Sequence, residues 1–180
     1  MRLFIAVWPP ALVVSRLAAL DRPACPGFRW TTADQWHVTL RFLGTVAEDQ
    51  LPGVNGALAP LGSEVPLGPV VAVAGPALVP LGPNVLCLPV AGLDGLADAV
   101  VARTLSVGAP VADRPFLGHL TMGRASRPAR PSRASGGVDL GLAEPMLFAA
   151  SWPVEEVTLV ASTLRPSGAS YQVIGRYPLG

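Results

Sequence analysis

Two short stretches decide how this chain folds: WHVTLRFLG, residues 36–44, and GHLTMGR, residues 118–124. Each carries His-x-Thr inside a run that otherwise alternates apolar with polar or small residues. Together they hold both histidines of the 180-residue chain. With eight threonines in the sequence, two histidines each followed by Thr at the second position is roughly a one-in-500 coincidence, before correction for the choice of motif. On a strand, residues two apart project from the same face. His37, Thr39 and Arg41 are therefore expected on one face, with Trp36, Val38, Leu40 and Phe42 on the other. In the second run His119, Thr121 and Gly123 are expected together, opposite Leu120 and Met122. Each strand then offers an imidazole beside a hydroxyl, backed by apolar residues that pack into a core.

The flanking sequence supplies the frame for these strands. Residues 2–7, RLFIAV, read as a strand, and after Pro9-Pro10 the spacing of Leu12, Val13, Leu17 and Leu20 predicts a helix. A weaker helix is expected over residues 48–60, with Gly53 and Gly56 in its interior. PVVAVAG and NVLCLPV read as strands separated by a Pro/Gly turn. A further helix is expected over residues 93–106, with Gly108 placed to end it. The last segments, VEEVTLVAS and YQVIGRYPL, alternate as strands. Strands and helices are mixed without strict alternation and without a Gly-rich phosphate fingerprint. The expected class is α+β with a mainly antiparallel sheet. A rough repeat of helix, strand region and His-x-Thr occurs once in each half.

Composition narrows the function. Hydrophobic residues make up 51% and charged residues 14%, which excludes a chain that is disordered throughout. The formal charge is only +1, and all thirteen basic residues are arginine. Four of them, Arg124, Arg127, Arg130 and Arg133, fall within ten residues, a loop that reads either as a solvated surface or as a phosphate-attracting patch. Cys25 and Cys87 are too few for a disulfide framework and lack zinc spacing. They are expected as reduced thiols of a cytoplasmic protein. The apolar start is interrupted by Trp8-Pro9-Pro10, which favours strand, turn and helix over a signal peptide. Residues 65–93 carry no charge but hold six prolines and four glycines, so turns and strands are expected there rather than a membrane span. The four tryptophans are expected mainly in the core, with Trp30 the best candidate for the rim of a nucleotide site.

Two histidines without nearby cysteines or carboxylates make a poor zinc site. With imidazole pKa values of about 6.5, one ring can be neutral and the other protonated at working pH, giving a general base and a general acid. Threonine hydroxyls can donate to the oxygens of an anion. Displacement at phosphorus needs one group on each side, roughly in line. Two equivalent strands facing across a cleft meet that need, and the favoured chemistry is metal-free cleavage of a phosphodiester, above all a strained cyclic one.

RLFIAVWPP, WHVTLRFLG, DRPFLGHLTMGR and VTLVASTLRPSGASYQVIGRYPL together resemble the two-histidine phosphoesterases, and within them the bacterial RNA 2′,3′-cyclic phosphodiesterases, also known as 2′-5′ RNA ligases. The resemblance runs over essentially the whole chain, residues 1–180. It implies a single bilobal domain: two pseudo-symmetric lobes, each a mainly antiparallel sheet with flanking helices, around a central groove. It implies hydrolysis of a 2′,3′-cyclic phosphate at an RNA end to a 2′-phosphate, without cofactor or metal, by a cytoplasmic monomer that has no membrane partner. Carried onto this chain, it makes His37 the proton donor and His119 the proton acceptor. Thr39 and Thr121 would hold the non-bridging oxygens, and Arg124 would neutralise phosphate. Two positions depart from the family pattern: Gly118 stands where Pro is usual, and Met122 where Leu is usual. Ligation through a 2′-5′ bond is expected as a side activity. The alternatives are a non-catalytic protein that binds RNA ends, or an enzyme of this superfamily acting on 2′-5′ oligonucleotides or another small cyclic phosphate.

Overall fold

In the computed structural model the described residues are 1–64, 68–111, 113–126, 144–165 and 168–180. Among them ten strands and four helices follow in the order β1 (Arg2–Val7), α1 (Ala11–Ala18), β2 (Phe28–Trp30), β3 (Val38–Thr45), α2 (Leu51–Leu58), α3 (Leu61–Glu64), β4 (Val71–Ala74), β5 (Val79–Leu81), β6 (Val85–Ala91), α4 (Asp94–Arg103), β7 (His119–Ala125), β8 (Ala150–Pro153), β9 (Glu156–Arg165) and β10 (Gly168–Pro178). The strands form one sheet in the order β10-β9-β1-β3-β7-β6-β4-β8, with β2 beside β7 and β5 beside β6. Every pairing along this path is antiparallel. The fold is α+β, as the sequence predicts. Strands β5 and β8, three and four residues long, are too short to leave a periodic signal.

The strand order explains the weak repeat. Reading outward from the middle, β3, β1 and β9 on one side match β7, β6 and β4 on the other. Helix α1 lies between β1 and β3 in sequence, as α4 lies between β6 and β7. Strands β3 and β7 meet through one ladder pair, Val38 with Leu120, and these are the middle residues of the two His-x-Thr motifs. Equivalent residues paired with each other mark an isologous contact, so the pseudo-two-fold axis passes between them.

Helices follow from local sequence. In α1 Val13 and Leu17 are buried four residues apart, while Leu12 and Arg16 face water. In α2 the buried pair is Val54 and Leu58, and the two interior glycines lie on the open face. Helix α4 begins on Asp94 and ends near Arg103, complementing the helix dipole at both ends. It is shorter than expected because Thr104 already caps it. No helix among the described residues is long and apolar enough to cross a membrane.

Strand β1 shows how the core is divided. Leu3, Ile5 and Val7 enter the large core with the helices, whereas Phe4 and Ala6 join Val160 in a small second cluster. Burial on both faces accounts for the unbroken apolar run at the N-terminus. The small cluster, flanked by Trp8, Tyr171 and Val173, forms the floor under His37.

The strict alternation expected for the first motif is broken. Ile5 pairs with Arg41 and Ala6 with Thr39, so Leu40 is an extra residue, a β-bulge. The bulge turns Arg41 away from Thr39 and brings Phe42 onto the Thr39 face. Arg41 is 5% exposed and donates to the carbonyls of Val101, Val107 and Ala109 and to the Thr104 hydroxyl. It fastens β3 to the end of α4, and burial lowers its pKa. The second motif carries the same device. Cys87 pairs with Thr121 and Leu86 with Gly123, leaving Met122 as the extra residue and setting Arg124, not Gly123, beside Thr121 in the groove. The two motifs therefore superimpose as His37 on His119, Thr39 on Thr121 and Phe42 on Arg124.

Candidate active site

An antiparallel pair at Val38 and Leu120 fixes what lies beside it. One residue either way, the register sets His37 opposite Thr121 and Thr39 opposite His119. Val38 and Leu120 are fully buried, so the other four side chains share the opposite face. His37, Thr39, His119, Thr121 and Arg124 all line one cavity of about 530 Å³. Arg2 and Arg29 line it too, and none of the described lining residues is acidic. The cavity suits an anion.

A hydrogen-bonded strap holds the two motifs together. The Trp36 indole N–H donates to Thr31 Oγ1 at 3.0 Å, and the Thr31 hydroxyl donates to the Thr121 carbonyl at 2.7 Å. Beside it, the Gln35 side-chain amide donates to the Ala169 carbonyl of β10 at 2.8 Å.

The two imidazoles have different surroundings. The His37 ring stacks on Phe4 at 4.7 Å between centroids, meets Trp8 at 5.1 Å and receives Tyr171 edge-on at 4.9 Å. Trp8 is held in place by its N–H donating to Thr158 Oγ1 at 2.8 Å, whose hydroxyl donates to the Ala6 carbonyl. His37 Nδ1 is buried without a hydrogen-bond partner, so Nε2 is the edge the groove can reach. Burial pushes the His37 pKa down to about 4, with smaller contributions in the same direction from His119 and Arg124. The Gln35 carbonyl opposes this, without reaching hydrogen-bond geometry to Nδ1. His119 lies against the Leu117 carbonyl, 2.7 Å from Nδ1. A carbonyl only accepts, so Nδ1 carries the proton of the neutral ring and Nε2 is left as a proton acceptor.

The departure at Gly118 has a steric reason. A Cβ there would collide with the Val90 carbonyl oxygen, and the Val90 N–H donates to the Gly118 carbonyl at 2.8 Å. At Gly123 the Phe28 ring occupies the space a side chain would take, so a larger residue there would have to displace that ring.

Several expectations are corrected. Arg41 lies outside the groove. Trp30 does not line the cavity; it packs edge-to-face on Phe28 and donates to the Pro23 carbonyl. The groove aromatics are Phe4, Phe42 and Tyr171 instead. They come from three strands, and Tyr171 has no local motif to reveal it. Of the arginine-rich loop, Arg124 is placed, while Arg127, Arg130 and Arg133 lie outside the described residues. Cys25 is half-buried and Cys87 buried, neither of them in a disulfide, and burial pushes the Cys87 thiol up to about 11. No group of three or more His, Cys, Asp or Glu side chains gathers among the described residues.

A pseudo-symmetric sheet carrying one His-x-Thr from each half into a shared basic cavity defines a two-histidine phosphoesterase. Comparison with known proteins agrees. Residues 8–74 match the family model described as LigT like Phosphoesterase. A curated relative, the RNA 2′,3′-cyclic phosphodiesterase of Thermus thermophilus, is 31% identical over 194 residues, covering 99% of this chain and 90% of the relative. The crystal structure of TT0787, from the same species, is 28% identical with a TM-score of 0.80, covering 99% of this chain and 98% of the other. Escherichia coli LigT complexed with 3′-AMP, at 23% identity and a TM-score of 0.73 over 99% of this chain and 97% of that one, shares the fold. The chain belongs to the LigT-like phosphoesterases of the two-histidine superfamily.

Proposed function

We propose that this chain is an RNA 2′,3′-cyclic phosphodiesterase that opens the cyclic phosphate to a 2′-phosphate. The observation that carries the reading is the pair of imidazoles that line one basic cavity from opposite sides of a pseudo-two-fold axis. Water attacks phosphorus while His119 Nε2 takes its proton. The bond from phosphorus to the 3′-oxygen breaks, and His37 gives that oxygen a proton, leaving a 3′-hydroxyl and a 2′-phosphomonoester. Thr39 and Thr121 donate to the non-bridging oxygens, where charge grows, and Arg124 balances it. Both proton transfers fall to imidazole, so the reaction calls on no metal ion.

The asymmetry of the two rings suits these roles. Before substrate arrives His37 is neutral, held so by its apolar cage. An anionic phosphate beside it favours the protonated ring, and the same cage then makes that ring a strong acid toward the leaving oxygen. All five side chains come from one chain, so a monomer suffices. Replacing water by a 5′-hydroxyl would give the 2′-5′ ligation expected as a side activity. The test is to incubate EDTA-treated protein with adenosine 2′,3′-cyclic phosphate and follow the phosphorus NMR spectrum. The 2′-monophosphate alone is expected. Binding without conversion would indicate a binding protein, and a 3′-monophosphate would contradict the acid assigned to His37.

A further inference from the structure

The cavity carries more positive charge than the reacting phosphate uses. Arg124 serves that phosphate, yet Arg29 lines the same wall. Strand β2 pairs with β7 so that Arg29 stands directly opposite Arg124. Phe28 and Trp30 pack together on one face of β2, which leaves Arg29, and Thr31 just past the strand's end, to line the cavity. Like charges directly opposite on a ladder destabilise it. Both arginines are exposed, so burial does not account for the arrangement. An anion lying across the pair turns the same repulsion into two charge-assisted contacts. The far side of Arg29 is shaped for its guanidinium. That group lies against Gly168, which opens β10, where a Cβ would come within 2.8 Å of Nη2 and 3.0 Å of Nη1. Beside it the Gln35 amide anchors the carbonyl of Ala169 at 2.8 Å.

We propose that Arg29, with Arg124 across the ladder, forms a second anion subsite that takes the phosphodiester one nucleotide upstream of the reacting ribose. The enzyme then prefers RNA ends to mononucleotides. This rests on the phosphodiesterase reading above and names the class of substrate its site takes. From Thr121 through Arg124 to Arg29 the anion-binding groups step outward from the reacting phosphorus. The last step is the width between paired strands, about 5 Å, on the scale of the sugar that separates neighbouring phosphates. A guanidinium fork matches the two non-bridging oxygens of a diester. Contact of this kind fixes position without reading a base, so the upstream sequence is free.

The experiment compares three substrates: adenosine 2′,3′-cyclic phosphate, the dinucleotide ApA ending in the same cyclic phosphate, and that dinucleotide with an uncharged methylphosphonate linkage. Wild type should show a KM for the charged dinucleotide about fivefold or more below that for either of the others. Arg29→Ala should abolish this advantage, with kcat within about threefold, and should change KM for the other two by less than about twofold. The slope of log KM against log salt for the charged dinucleotide should fall by about 0.7 in Arg29→Ala, and Arg29→Lys should keep most of it. The proposal is overturned if wild type does not distinguish the charged from the uncharged linkage, or if Arg29→Ala loses equally on all three substrates or on none. If wild type turns over none of the three, the phosphodiesterase reading fails. The subsite is then judged by calorimetry, comparing 2′-AMP with ApA ending in a 2′-phosphate, with either linkage, on wild type and Arg29→Ala. A loss confined to the charged dinucleotide supports it, and a loss shared by all ligands, or absent from all, overturns it.

Discussion

Val38 and Leu120 are each other's ladder partners across the junction of the two half-sheets, and that one pair sets His37 across from Thr121 and Thr39 across from His119. Few residues decide the geometry of the groove so directly. Leu120→Ala removes a fully buried side chain and should destabilise the fold by roughly 2–5 kcal/mol. It should also lower turnover, because the register between the halves loses its packing. A fall in the urea midpoint with turnover unchanged would show that the junction does not position the site.

Arg41 tests the bulge. Replacing it with Met leaves the Val107 and Ala109 carbonyls and the Thr104 hydroxyl without their donor. A loss of roughly 2–4 kcal/mol is expected. Because Arg41 faces α4 and not the groove, KM for a cyclic nucleotide should stay within about twofold at temperatures where the variant is folded. A KM increase of tenfold with stability intact would return Arg41 to the groove.

The His37 pKa gives a pH signature. Its folded value of about 4 lies below the ordinary imidazole value of 6.5, so the fold favours the neutral ring. That stabilisation is complete above about pH 6.5, declines as the pH falls, and is gone below about pH 4. At about 1.4 kcal/mol per pH unit the gap corresponds to roughly 3 kcal/mol. Wild type should therefore lose that much more than His37→Gln between pH 7 and pH 4 in denaturant titrations. Saturating phosphate should raise the NMR titration midpoint of the His37 ring by at least about one unit. A midpoint near 6.5 in the free protein would contradict the apolar cage.

Gly118→Ala forces a methyl group against the Val90 carbonyl one residue before His119. The backbone must shift, at a cost of roughly 1–3 kcal/mol, and the His119 ring shifts with it. Thermal unfolding and turnover should both fall. Unchanged values would mean that the close approach is relieved elsewhere.

Four of the candidate site residues, His37, Thr39, His119 and Thr121, are legible in the sequence because His-x-Thr is a local pattern that recurs, and Arg124 follows from the family resemblance. The surroundings are not legible. Period-two reasoning assumes an unbroken ladder, and bulges at Leu40 and Met122 break it in both motifs. A signal was available: the second motif has its arginine five residues after the histidine, at the position of Phe42 and not of Arg41. The aromatic cage escaped for a different reason. Phe4, Trp8 and Tyr171 reach His37 through tertiary pairing, and each alone reads as an ordinary core or strand residue. The exchange of rim aromatics, Phe42 for Trp30, has the same origin, because exposure depends on which strand lies beside which.

The proposed mechanism requires two imidazoles acting on one phosphorus atom. The most direct measurement is turnover of a 2′,3′-cyclic phosphate-ended RNA, in EDTA, by wild type, His37→Ala, His119→Ala and the double variant. Each single variant should lose about 100-fold or more, and the double variant should lose far less than the product of the two, since the rings work as a unit. Either single variant retaining a rate within about threefold of wild type would contradict it.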